Sequence, residues 1–287
     1  MIFLPYSTAL TLARPPVVSY AIAAICVSIF MLQLVYPITS SLVYYPQSWN
    51  PIKMVSSSLA HSSWSHLLGN LIFFLAFAPA LEILLANKIR YIGILLFVSI
   101  IAGLVYSLSA LGNPTPLPTL GFSGVVMGMI GLSAYLMTQA KIRVFCWFIF
   151  FWKTLYIPAW ILAIFYIGFD SWLLFTADHD GGINLVAHVA GGCAGYLYGL
   201  FWLKDRKAEV HDELQVEIKE MQLEQKFGTS RSLSFRGRDE LKRQHEETTA
   251  TRQHDRFMSS VYKMVSTQRD SDAIFALLKS YHPLETP

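Results

Sequence analysis

Charge is scarce over most of this chain. The first 203 residues hold seven Lys/Arg and four Asp/Glu, whereas the last 84 hold fifteen of each. About a quarter of the residues in a soluble domain are charged, which excludes an ordinary water-exposed fold for the first part. Cysteine is scarce too. Cys26, Cys146 and Cys193 lie in apolar stretches without CxxC spacing, so they read as small core residues and not as a disulfide scaffold or a thiolate metal site. No HExxH occurs, and no acidic residue stands near the His61–Asn70 stretch. A zinc site gathered from His61, His66, His179 and His188 is therefore the weaker reading. Basic groups in the C-terminal part are matched by acidic ones, so a nucleic-acid partner is not indicated. No internal repeat stands out, which argues against a transporter built from paired halves.

What the chain does have is apolar length: 54% of its 287 residues are hydrophobic. Six segments approach the ~20 residues needed to cross the hydrocarbon core: 17–36, 66–86, 91–111, 121–139, 158–176 and 184–203. The first, Val17–Tyr36, is longer than a signal-peptide core and lacks a basic flank and a cleavage site, so it reads as a retained helix. Breakers divide the others, among them Pro37, the Asn113–Pro118 run and Asp178–Gly182. Lys88, Arg90, Lys141, Arg143, Lys153, Lys204, Arg206 and Lys207 fall in alternate loops, and the opposite loops hold Lys53 with Asp170, Asp178 and Asp180. The positive-inside rule then puts both termini in the cytoplasm. Spans two, four and six all begin on the outer side. The aromatic stretch 144–156 is too short and too close to Lys153 for a span, and reads as an interfacial or re-entrant segment.

The predicted fold class is an all-α polytopic membrane protein, a six-transmembrane-helix bundle with a helical or disordered C-terminal cytoplasmic tail. The predicted organisation is 1–16 as an N-terminal cytoplasmic segment, 17–203 as the six-span domain and 204–287 as the charged tail. Within the tail, 205–227 and 239–281 carry sparse apolar residues compatible with helices.

Some polar residues interrupt the apolar spans. Ser123 lies in Gly121-Phe122-Ser123-Gly124, His188 in Ala187-His188-Val189, and His66 and Asn70 are four apart near the start of span two. Polar groups at membrane depth are costly unless they are paired or face a watery cavity, which makes them functional candidates. Ser, His and Asn also make the minimum set for acyl transfer: a nucleophile, a base and an oxyanion donor. Ser123 falls near a helix start, where free N–H groups favour a developing oxyanion. Gly124, Gly128 and Gly131 in span four face a matching series in span six, Gly191 or Gly192, Gly195 and Gly199. Such stripes let membrane helices approach closely, so spans four and six are predicted to meet there, with Ser123 and His188 at similar depth.

These residues resemble the rhomboid family of intramembrane serine proteases. The likeness rests on His61-x4-His66-x3-Asn70, Gly121-x-Ser123-Gly124 and His188-x2-Gly191-x3-Gly195, in that order, over roughly residues 15–203. The resemblance implies a six-helix membrane bundle and a Ser–His dyad without a required acid. It implies Ser123 as nucleophile, His188 as general base, and His66, Asn70 and the Ser123 amide as the oxyanion hole. It also gives Glu82 a structural hydrogen-bonding role. Two positions depart from the family pattern: Ile52-Lys53 replaces a frequent Trp-Arg pair, and Met127 replaces a frequent tyrosine.

The function so implied is a serine endopeptidase that hydrolyses peptide bonds in or next to transmembrane segments and needs no cofactor or metal. Its expected partners are transmembrane protein substrates and the lipid bilayer, with a cytoplasmic partner conceivable for the tail. The expected location is a bacterial inner membrane. The loop 177–183, with Gly181-Gly182, is a candidate mobile cap. The alternative function is a catalytically silent rhomboid-like scaffold that binds membrane proteins, although such relatives usually lack the Ser or the His.

Overall fold

A computed structural model describes residues 2–8, 14–148, 151–176, 184–211 and 214. The chain divides into two units, Met1–Glu217 and Ile218–Pro287. The second unit lies outside the described residues, as do the tail helix expected at 239–281 and the cap expected at 177–183.

The first unit is mostly helical. It opens on strand β1 (Ile2–Thr8) and helix α1 (Val17–Val35). A connection follows with the short α2 (Thr39–Leu42), a 3-10 turn (Pro46–Ser48) and α3 (Pro51–Leu59). Then come α4 (Trp64–Leu85), α5 (Lys88–Ser109) and α6 (Ser123–Leu136). Strands β2 (Lys141–Phe148) and β3 (Phe151–Pro158) lead into α7 (Ala159–Thr176) and α8 (Leu185–Trp202). Side chains start three of the long helices in the ordinary way: Ser63 caps α4, Asn87 caps α5 and Asn184 caps α8.

Among the described residues, five helices, α1, α4, α5, α7 and α8, are long and apolar enough to cross a membrane. The sixth expected span is shorter than predicted. Helix α6 has 14 residues, which at ~1.5 Å per residue covers roughly 21 Å of a ~30 Å hydrocarbon core. At its front, Gly121 has φ +122°, a left-handed conformation in which no helix can continue. At its end, Thr138 Oγ1 donates to the carbonyls of Ala134 (3.0 Å) and Tyr135 (3.2 Å), satisfying acceptors that further helix would have used. Polar local geometry, invisible to a hydropathy window, therefore cuts the span at both ends.

The all-α expectation needs a correction. The segment 144–156, expected to be interfacial or re-entrant, lies within an antiparallel hairpin, and β1, from the expected N-terminal cytoplasmic segment, adds to it in the order β1-β2-β3. The composition explains this in hindsight. Val, Ile, Phe, Trp and Tyr favour pleated, half-buried surfaces. Ile142 and Val144 are fully buried, whereas the alternating Phe145 and Trp147 are exposed. Pro5 lacks an N–H, and it is accommodated on an edge strand beside an irregularity in the β1–β2 register.

The base of the bundle is tied by one buried carboxylate. Glu82 near the end of α4 accepts from the backbone N–H groups of Val18 (3.0 Å) and Ser19 (2.7 Å) and from Ser19 Oγ (2.8 Å). Those N–H groups belong to the first turn of α1, where intrahelical partners are lacking and the dipole favours a negative charge. Ser19 Oγ also bonds Tyr91 of α5 at 2.8 Å. Three helices thus share one acid, in the structural role the resemblance implied. At the same end, Arg206 Nε donates to the Leu84 carbonyl (2.6 Å), and Val210 and Leu214 are buried. Arg206, Val210 and Leu214 therefore belong to the helical unit's packing.

Replacing Glu82 by Ala should lower unfolding free energy in mixed micelles on the order of 3 kcal/mol, because it orphans buried N–H donors. Glu82→Gln, which keeps an acceptor, should cost less.

Candidate active site

The site is built where α4, α6 and α8 come together. Helices α6 and α8 form the most extensive helix pair of the unit, and their backbones touch through glycine. A methyl group placed on Gly191 would fall on the Gly124 carbonyl oxygen, one on Gly195 on the Gly128 carbonyl oxygen, and one on Gly131 on the Gly192 carbonyl oxygen. A methyl on Gly124 would lie 3.4 Å from the Ala187 carbonyl oxygen. The predicted meeting of the two stripes is thus observed. Ser123 and His188 are the chain neighbours of Gly124 and Ala187, so this contact brings their segments together. No hydrogen bond joins Ser123 to His188 among the described residues. Catalytic hydrogen bonds are often long before substrate tightens a site.

Helix α6 starts without a side-chain cap. The N–H groups of its first turn, Ser123 among them, are left for another acceptor. His66 and Asn70 reach this point from α4. A methyl group on Gly121 would lie 2.6 Å from both Cε1 and Nε2 of His66 and 3.8 Å from Asn70 Nδ2. Only a glycine leaves the imidazole room there, and its positive φ turns the chain into the helix. Ser62 Oγ holds His66 Nδ1 at 3.0 Å, leaving Nε2 directed at the start of α6. Asn70 is buried, and its Nδ2 finds no hydrogen-bond partner among the described residues. An orphaned amide donor at membrane depth is costly unless a substrate oxygen completes it.

His61 is set apart from this chemistry. Its backbone N–H donates to Gln33 Oε1 (3.0 Å) and its carbonyl accepts from Gln33 Nε2 (3.2 Å), fixing the loop to α1. Burial first, and the nearby His66 second, push its pKa down to about 4, so the ring is neutral at pH 7. Its ring stands edge-on to that of His66 at 5.2 Å. His179 lies outside the described residues, among which no three His, Cys, Asp or Glu side chains gather as a metal site.

One polar residue was missed. Asp170 was counted among loop acids, yet it lies inside α7, and its Oδ2 sits 2.7 Å from His188 Nδ1. The rule applied to Ser123 and His188 would have found it, since it is the only charged residue in that apolar helix.

The Rhomboid domain family matches residues 47–205, more than half of the chain. The chain belongs to the rhomboid family. No curated protein matches it. Its apolar helices and its family make this rhomboid an integral multi-pass membrane protein. The matched region contains His66, Asn70, Ser123 and His188.

The two departures from the family pattern have local explanations in this rhomboid. Lys53 donates to the Ser41 carbonyl, so the connection before α4 is still pinned from that position, while Ile52 is exposed. Asn50 caps α3 by accepting from the N–H groups of Ile52 and Lys53. Met54 fits against Gly103 of α5, and its carbonyl accepts from Ser99 Oγ at 3.1 Å. Met127 is buried in the hydrophobic core, where a flexible thioether fills irregular space.

Gly191→Ala should push α8 off α6 and cost about 1–3 kcal/mol, since backbone cannot yield as a side-chain tip does. Gly93→Ala on α5, where a methyl meets nothing within 4 Å, should be neutral or gain up to ~1 kcal/mol. Thermal unfolding of both variants in one detergent checks the contrast.

Proposed function

We propose that this rhomboid is an active intramembrane serine endopeptidase acting on peptide bonds in or beside transmembrane segments of membrane proteins. The observation that carries the reading is the uncapped start of α6, bearing Ser123, with His66 and the unpartnered Asn70 amide on one side and the His188 segment on the other. Ser123 is the nucleophile and His188 the general base. His66, Asn70 and the Ser123 backbone N–H form the oxyanion hole.

His188 takes the Ser123 hydroxyl proton as the oxygen attacks the scissile carbonyl. The carbonyl oxygen becomes an oxyanion, and the three donors stabilise it where charge develops. Collapse releases the amine, which leaves with the proton from His188, and water then hydrolyses the acyl-enzyme. The short α6 supports a polar cavity for that water, because a helix of roughly 21 Å starts below the surface of a ~30 Å core. The substrate must present extended backbone, so a helix that unwinds readily should be cut faster than a poly-Leu helix.

The site opens at the start of α4, α6 and α8. Lys88 and Arg90 at the start of α5, Lys141, Arg143 and Lys153 in the β2–β3 hairpin, and Lys204 after α8 lie at the other ends of these helices. This supports a topology with both termini in the cytoplasm and a site facing outward. The proposed location is a bacterial inner membrane.

The test is cleavage of a reconstituted transmembrane substrate in proteoliposomes. Wild type should release two fragments, and Ser123→Ala and His188→Ala should release none. Asn70→Ala should slow turnover on the order of 10²–10³-fold. A wild type that retains the substrate without cutting it would favour the silent scaffold instead. Undiminished cleavage by Ser123→Ala would remove the proposed nucleophile.

A further inference from the structure

We infer that Asp170 is a positioning residue for His188, so that the base is held by a carboxylate and the working unit is a Ser123–His188–Asp170 relay. This rests on the protease reading above and extends the two-residue arrangement that the resemblance implied.

A carboxylate inside an apolar helix needs a partner, and Asp170 has one. Its Oδ2 lies 2.7 Å from His188 Nδ1, with both side chains mostly buried at 18% and 16% exposure. That separation falls in the range of hydrogen bonds assisted by charge. A carboxylate accepts and does not donate, so Nδ1 carries the proton. The Nε2 lone pair is then free, as a base facing a serine requires.

The register that makes this pair is itself fixed. A methyl group on Gly192 would lie 2.6 Å from Ile167 Cδ1, so the bare glycine admits Ile167 to the α8 surface. Three residues further along α7, Asp170 meets His188, four residues earlier on α8. The two helices run antiparallel here, and both spacings are close to one helical turn. Helix α7 packs on α6 as well as α8, so the acid reaches the site from a fourth helix.

In the reaction, the Ser123 proton passes to His188 Nε2 while Nδ1–H stays bonded to Asp170. The carboxylate remains ionised and balances the imidazolium. The Nε2 proton then goes to the leaving amine, and neutral His188 returns with its tautomer preserved. An unheld imidazole would rotate, and its Nε2–H tautomer would present an N–H instead of a lone pair to the serine.

The full-length chain with ring-¹⁵N histidine, purified in detergent, provides one test. Wild type should show a downfield Nδ1–H resonance from His188, identified by its loss in His188→Ala, and Asp170→Asn should lose or shift it upfield. In proteoliposome cleavage, Asp170→Asn should reduce kcat by about 10²–10⁴-fold, as expected for a mis-set tautomer, with KM little changed. Asp170→Glu should recover part of that loss, which also guards against an Asn variant that folds poorly. An active wild type matched in kcat by Asp170→Asn would overturn this inference and leave the protease reading intact. An inert but folded wild type would overturn the protease reading and with it the catalytic use of Asp170.

Discussion

The backbones of α6 and α8 meet with no side chain between them, and the site depends on that contact. In lipid, apolar burial gives little drive for helices to associate, so close van der Waals packing must supply it. Gly124, Gly128 and Gly131 on one helix and Gly191, Gly192 and Gly195 on the other remove the side chains that would keep the axes apart. The same bare surfaces serve three purposes. They bring the Ser123 and His188 segments together, they let Ile167 of α7 lie on Gly192, and they anchor the short α6 within the bundle.

A second constraint is polar. Glu82 supplies acceptors for α1 and, through Ser19, reaches Tyr91 of α5, so three helices share one bonded network at the basal end of the bundle. At the opposite end the pattern differs. Asn70 keeps an unused buried donor there, and α6 begins without a side-chain cap. Sites prepared for a transition state carry donors that the resting protein leaves unused.

Much of this was legible in the sequence because it depends on residue type at helical spacing. The glycine stripes forecast the α6–α8 contact, and the apolar lengths forecast α1, α4, α5, α7 and α8 to within a few residues. Polar residues inside apolar runs marked Ser123, His66, Asn70 and His188, and the structure gathers their segments. What was not legible depends on backbone geometry or on distant pairing. Gly121 ends the chain's extended run by a dihedral angle, not by hydropathy, so α6 was drawn too long. The sheet joins Ile2–Thr8 to a hairpin more than 130 residues later, and no local pattern announces such a partner. Asp170 is a charge inside an apolar helix, but a charge count that sets topology groups it with the loop acids Asp178 and Asp180.

The central claim is that the fold activates Ser123 through His188. Its most direct test is a fluorophosphonate time course on the purified protein, with peptide mass mapping of the adduct. The account predicts a single phosphonylated residue, Ser123, modified far faster than any other serine and unmodified when His188 is replaced by Ala. A folded chain in which Ser123 stays unmodified, or reacts equally well without His188, would contradict it.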